Sequence, residues 1–324
     1  MQNHPYQHLH VNNRATIHNM SKAQCTQKQI AQAIGCSQST VSKELKRNRS
    51  LRGYRPKQAQ FKAQMRQRNK RHRPKVIQGD LQIKVVEKLM RLYSPEQICG
   101  ALRREGYSGP SVSSVYNFIN EDKQNGGSLH SYLRINGKRR YRHRNRTQRH
   151  KLPARTGIEN RPEIVARRER FGDWEADLIA GGKRSGYVLS LYERKSHFGR
   201  LVKLNDKDAT RTAKAIIKAL KGYRVWTVTY DNGLEFAKHA LVNKILGSKS
   251  FFCRTYHSWE KGGVENFNGL VRQYLPKQRS FSNLGEASLA QIEADLNSRP
   301  RKTLNFQPPN SFLNAILVHP RPHA

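Results

Sequence analysis

From Asp173 to Leu178 the chain alternates acid and apolar residues: Asp173, Trp174, Glu175, Ala176, Asp177, Leu178. A period of two belongs to a β-strand, whose successive side chains point to opposite faces. Trp174, Ala176 and Leu178 then share the face that seeks a core, and the three acids share the other. Carboxylates at the edge of a core are costly unless something compensates them, as a bound cation would. Alternation alone does not choose which of the three would hold one.

The surrounding pattern sets the fold class. GYVLSLYER and FGRLVKL continue as two further strands after short turns. TRTAKAIIKALKGY reads as a helix, VWTVTYDNG as a strand ending at Asp231, residues 234–246 as a helix, SFFCR as a short strand, and EKGGVENFNGLVRQYL as a helix carrying Glu265. Three antiparallel strands followed by alternating helix and strand predict an α/β layout with a mixed central sheet.

The N-terminal half differs. The chain carries 61 Lys and Arg against 23 Asp and Glu, and residues 1–150 hold 31 of the basic residues but only 7 of the acidic ones. Such an excess predicts a polyanionic partner. TQKQIAQAIGCSQSTVSKELKRN places Ile30, Ala31 and Ile34 at helical spacing, stops at Gly35, and restarts at the N-cap residue Ser37 with Val41 and Leu45 inward. This is a helix-turn-helix pattern, with Gln38, Ser39 and Lys43 placed to read base edges and Lys46 and Arg47 to meet phosphates. A second unit follows: a helix with Ile83, Val86, Leu89 and Met90 on its face, a helix capped by Ser94, Pro95 and Gln97, and a helix with Val112, Val115, Tyr116 and Ile119 on one face. A plain scaffolding bundle would show the same apolar pattern. Residues 52–76 and 138–151 are densely basic and are expected to order along phosphates and otherwise to serve as flexible linkers.

Cys25, Cys36, Cys99 and Cys253 lack the spacing of a zinc site and read as reduced thiols. No apolar run reaches the roughly 18 residues of a membrane span, and MQNHPYQHLHVNN lacks the apolar core of a secretory signal, so a cytoplasmic protein is expected.

Asp177, Asp231 and Glu265 fall on the first strand, at the end of the fourth and one turn into a helix. Three converging carboxylates repel one another, and two Mg²⁺ ions about 3.5–4 Å apart would relieve this and engage a phosphodiester. Each acid also has an ordinary explanation: Asp231 opens a D-N-G turn, and Glu265 suits the positive end of a helix. Glu265, Asn268, Gly269 and Arg272 share a helix face, so Asn268 and Arg272 are placed to hold a DNA end beside the metals. A core-facing Arg272 paired with a carboxylate is the alternative. Lys277 and Arg279 beyond it are placed for phosphates.

GDWEADLIAG, TVTYDNGLEF, YHSWEKGGVENFNGLVRQYLPK and the closing LNSRPRKTLNFQPPNSF resemble the DDE transposases of the insertion-sequence-30 family, as do the helix-turn-helix segment from Thr26 and SPEQICGALRREG. The resemblance spans about residues 25–318. It implies an RNase H-like catalytic domain, a mixed five-stranded sheet with helices, shared with retroviral integrases and preceded by all-α helix-turn-helix domains. The expected organisation is a DNA-binding domain at 1–70, a second helix-turn-helix domain at 78–122, a basic linker at 123–165 and the catalytic domain at 166–318. The resemblance selects Asp177, Asp231 and Glu265 as catalytic, metal-binding acids and leaves Asp173 and Glu175 as structural groups or partners of arginines. It implies binding of double-stranded DNA at terminal inverted repeats and at a target, cleavage and strand transfer with Mg²⁺ or Mn²⁺, a homodimer or larger assembly on DNA, and a place in the bacterial nucleoid. The chain departs from the family in HLHVNNRATIHNM, which lacks the usual acid-containing helix start, and in Ala176, where Gly is common. Two other readings make different predictions. A helix-turn-helix transcriptional regulator with a non-catalytic C-terminal half would bind DNA without cutting it. An RNase H-like nuclease would cut without joining strands.

Overall fold

The computed structural model describes residues 8–51, 53–71, 75–134, 155–182, 185–254 and 257–318. The basic run 138–151 lies outside them. The chain forms two compact units, residues 1–75 and 76–324.

The first unit holds α1 (Val11–Lys22), α2 (Gln27–Ile34), α3 (Gln38–Asn48) and α4 (Pro56–Arg71). Thr26 and Gln29 form a reciprocal capping box at the start of α2, Gly35 ends it in the left-handed region, and Ser37 caps α3, as the sequence predicts. Ile17, Ile30, Ala31, Val41, Tyr54 and Ala59 form the core. α1 forms without an acidic first turn. The Asn13 side chain accepts the His10 N–H at 3.1 Å, and buried Arg14 pairs with buried Glu44 at 2.8 Å. The expectation of a flexible linker over 52–76 is wrong for most of that stretch, which is the 16-residue α4. Pro56 starts it, and the Gln, Ala, Lys, Arg and Met that follow are strong helix formers. Buried Ala59, a Tyr54 hydroxyl donating to Glu44 at 3.0 Å, and Arg66 donating to Asn48 at 2.6 Å hold it on the other helices.

In the second unit, α5 (Asp80–Met90), α6 (Pro95–Arg104) and α7 (Val112–Gln124) surround Val85, Leu89, Ile98, Leu102, Val115 and Ile119. The predicted cap of Ser94, Pro95 and Gln97 is present. The predicted faces are turned in part. Ile83 and Met90 are exposed, while Leu81, Val85 and Leu89 face inward at i, i+4, i+8; Val112 and Tyr116 also face solvent. Both stripes of α5 are apolar, and packing rather than periodicity selects between them.

The sheet has the order β3-β2-β1-β4-β5, with β1 Asp173–Ala180, β2 Tyr187–Glu193, β3 Gly199–Leu204, β4 Thr227–Tyr230 and β5 Lys249–Phe252. β1, β2 and β3 are antiparallel neighbours, while β4 pairs parallel with β1 and β5 parallel with β4. This is the expected mixed five-stranded sheet. A short α8 (Glu163–Arg167) precedes it. On one face Trp174, Ala176, Leu191 and Val228 meet Ile216 and Leu220 of α9 (Ala209–Leu220) and Val242 of α10 (His239–Leu246). On the other, Ile179, Val188, Tyr192 and Leu201 meet Phe267 and Val271 of α11 (Gly262–Tyr274) and Leu289 and Leu296 of α12 (Glu286–Ser298). The closing segment leads into α13 (Pro309–Val318). On its way it seats α6: the Tyr93 hydroxyl donates to the Ser298 carbonyl at 3.2 Å, Gln97 to the Pro300 carbonyl at 2.9 Å, and the Phe306 ring fills the place a side chain on Gly100 would need.

Candidate active site

Each of the three acids of β1 meets a different partner. Asp173 is buried, paired with Arg170 at 2.9 Å and accepting from Thr227 at 2.8 Å. Glu175 is buried, paired with Arg194, and accepts the Val264 N–H in the first turn of α11 at 2.8 Å. A carboxylate there satisfies an orphan donor and meets the positive end of the helix dipole. It also fixes the register of α11 against β1. Gly263 allows this approach, since a Cβ on it would stand 2.8 Å from the Glu175 carboxylate and 2.5 Å from the Tyr192 ring.

Asp177 is the one of the three that is not fully buried. Glu175 lies opposite Thr229 in the parallel β1–β4 register, so two residues further on Asp177 comes level with Asp231. Asp231 sits just beyond β4, with its carboxylate accepting the Gly233 N–H at 3.1 Å to close the D-N-G turn. Between the two acids stands buried Lys261. Its ammonium lies 3.2 Å from Asp177, 3.9 Å from Asp231, and donates to the Ala176 carbonyl at 3.1 Å. From the other side Asn268 donates to Asp177 at 2.6 Å. Lys261, the residue just before α11, and Asn268 on the face of α11 toward β1 thus bracket Asp177. Glu265, four residues after Lys261 and three before Asn268, belongs to that face and is exposed.

Burial pushes the Asp177 carboxyl above the usual carboxylate range; the Lys261 ammonium opposes this and the Asp231 carboxylate adds to it. Burial alone would lower the Lys261 ammonium, but the carboxylates of Asp177 and Asp231 outweigh it and hold the group above its ordinary value, charged.

These groups suit a hard divalent cation. The donors are oxygens, Lys261 already places a positive charge between two carboxylates, and the Asn268 side-chain oxygen is buried without a partner. Among the described residues no three His, Cys, Asp or Glu side chains close around one point. The structure therefore brings Asp177 and Asp231 to one cation and places Glu265 on the adjoining helix face. Arg272 instead braces the scaffold, donating to the Ala180 carbonyl at 2.9 Å and the Leu275 carbonyl at 3.2 Å. Lys277 and Arg279 are exposed. On α3, Gln38, Ser39, Lys43, Lys46 and Arg47 are all exposed along one side. Lys261 escapes sequence reasoning. Its only signal is a lysine one turn ahead of Glu265, which a chain this basic does not make conspicuous.

A family model described as a helix-turn-helix domain matches residues 5–48. The chain is 41% identical over 316 residues to the transposase for insertion sequence element IS4351 of Bacteroides fragilis, covering 96% of each. It is 32% identical over 324 residues to transposase InsI for insertion sequence element IS30A of Escherichia coli (strain K12), covering 94% of this chain and 83% of that one. It is 33% identical over 331 residues to the transposase for insertion sequence element IS1086 of Cupriavidus metallidurans, covering 97% and 96%. Among solved structures, the catalytic core domain of BIV integrase aligns with 46% of this chain and 98% of that one, at a TM-score of 0.37 and 19% identity.

Proposed function

Because the chain belongs to the insertion-sequence-30 family of transposases, we propose that it binds the terminal inverted repeats of its element, cuts there and joins the freed ends to target DNA. The observation that carries this reading is the level placement of Asp177 on β1 and Asp231 just past the end of β4, sharing the Lys261 ammonium beside the face of α11 that bears Glu265.

In this reading Asp177, Asp231 and Glu265 would hold two Mg²⁺ ions, with Mn²⁺ able to substitute, and these would lower the pKa of water and neutralise charge on the phosphate. Asn268 fixes the Asp177 carboxylate. Glu175 holds α11, and with it Glu265, in register. Water attacks the phosphorus at the element boundary, the bond to the 3′ oxygen breaks, and that oxygen leaves as a hydroxyl. The 3′-hydroxyl then attacks a target phosphodiester and displaces the target's own 3′ oxygen. No covalent bond to the protein forms. Gln38, Ser39 and Lys43 read bases from α3, and Lys46 and Arg47 meet phosphates. Asn268 lies beside the DNA end, and Arg272, donating to the Ala180 carbonyl, steadies the end of β1 next to it. Both ends of the element must meet, so the working form is a homodimer or a larger assembly.

The test uses the whole protein, Mg²⁺ and labelled DNA carrying the sequences that flank its gene, beside Asp177→Asn. Cuts at a repeat boundary with joined products, lost in the variant, are expected. Specific binding without cleavage by the unaltered protein would instead make it a regulator, and cleavage without joining would make it a nuclease.

A further inference from the structure

Behind α11, on the side away from Glu265 and Asn268, lies a cleft of about 350 Å³ between the start of α6, the β2–β3 turn and the closing segment. Water's share of liquid volume is about 30 Å³, so the cleft holds far more than a bridging water. Arg134, Arg168, Arg299, Arg301 and Lys302 line it. Its one carboxylate, Glu96, is taken by Lys302 at 2.7 Å.

Three of the arginines donate to neutral partners, Arg134 to the Asn266 side-chain oxygen at 3.0 Å. Arg299 is 1% exposed and donates to the Gln273 side-chain oxygen at 2.7 Å and the Tyr274 hydroxyl at 2.8 Å, and its Nε is buried with no partner. Arg301 donates to the Leu296 carbonyl at 3.0 Å. Among the described residues no carboxylate pairs with Arg168, Arg299 or Arg301. Burial, with Arg299 and Arg134 close by, lowers the Arg301 guanidinium to about 10. His197 in the same wall is held neutral, down to about 4, by burial and by Arg168 and Arg301. Like charges gathered out of water are costly unless an opposite charge joins them. Gly262 and Gly263 open α11 on the same cleft and add the positive end of its dipole.

We propose that this cleft binds a phosphodiester of the DNA backbone. The assignment rests on the transposase reading and extends it. A helix with its side chains is about 10–12 Å across, so a strand passing the acids would reach the cleft in about three nucleotides at roughly 3.4 Å each. The guanidinium groups offer planar, paired donors suited to phosphate oxygens.

The experiment has two arms and compares the whole protein with Arg168→Gln/Arg301→Gln and with Lys214→Gln/Lys218→Gln, which removes two charges from the exposed side of α9. In the first arm inorganic phosphate is titrated without metal and binding is read from the melting temperature. Unaltered protein and the α9 variant should respond alike, and the cleft variant should bind at least about tenfold more weakly, as removal of one charge-assisted hydrogen bond implies. In the second arm the salt dependence of binding to the gene-flanking duplex is measured in EDTA. The slope of log K against log salt should be shallower by about 0.9 for each phosphate that the variant no longer neutralises. Equal phosphate binding in all three proteins, or none in the unaltered protein, overturns the site. Weakened phosphate binding with an unchanged salt slope makes it a site for free phosphate and overturns the DNA assignment. If the unaltered protein binds no duplex, the transposase reading fails, and the first arm still decides the cleft. Should the double variant not fold, Arg134→Gln at the exposed rim carries the same expectations.

Discussion

Lys261 keeps two carboxylates together in the absence of any other cation. In Lys261→Met that charge is gone, so Asp177 and Asp231 face each other unshielded. In EDTA the variant should be less stable than the unaltered protein by about 1–3 kcal/mol and melt lower, and Mg²⁺ should stabilise it more than it stabilises the unaltered protein. Paired melts with EDTA and Mg²⁺ measure this, and an equal Mg²⁺ response would show that Lys261 and the metal do not share a place. His197 makes a second residue-scale prediction. Its folded value of about 4 lies below the ordinary 6.5. Between those values the unfolded chain takes up a proton that the folded protein refuses, so stability falls as pH drops through this window. His197→Gln should flatten the fall in melting temperature between about pH 6.5 and pH 4. At this scale alternation is enough to place the three acids on one face of the strand, while the choice of Asp177 among them rests on the family resemblance. Lys261 was not legible, because one lysine among 61 basic residues carries no local signal. The hydrogen bond between Asn268 and Asp177 depends on a helix register that Glu175 sets from the neighbouring strand, and no spacing reveals it.

Among the elements, α11 is held at both ends. Its start is held by Glu175 and its far half by Arg299, which reaches Gln273 and Tyr274. Gly263→Ala should push that start away from β1 at a cost of about 1–3 kcal/mol. We expect DNA cleavage to be abolished while duplex binding persists, which a cleavage assay beside a gel-shift would separate. Failure of both would mean that α11 supports the DNA-binding surfaces as well. The strands were legible because each alternates or runs apolar between turn residues. α4 was obscured by its charge, although its residues are good helix formers, because the few groups that seat it, Tyr54, Ala59 and Arg66, find their partners on α3 and its surroundings. α5 was legible as a helix but not in its orientation, since either apolar stripe could have faced inward.

For the whole molecule, the division at Lys75 gives each unit a core of its own. Residues 1–75 produced alone should therefore melt cooperatively. Glu44→Ala should destabilise that fragment by about 3–5 kcal/mol, because buried Arg14 would be left without its carboxylate. Calorimetry on the fragment and its variant checks both, and a broad, non-cooperative melt would show that the unit needs the rest of the chain. The second unit is closed by contacts that reach far along the sequence. Tyr93 and Ser298, joined at the seat of α6, are 205 residues apart. A ribosome adding about 5–20 residues each second would need roughly 10–40 s to pass from one to the other. Through that interval α6 has left the exit tunnel without its seat, and the segment that anchors the far half of α11 does not yet exist. The first unit is complete much earlier. During synthesis, then, the nascent chain has the unit that grips DNA well before the segment that secures the cutting machinery.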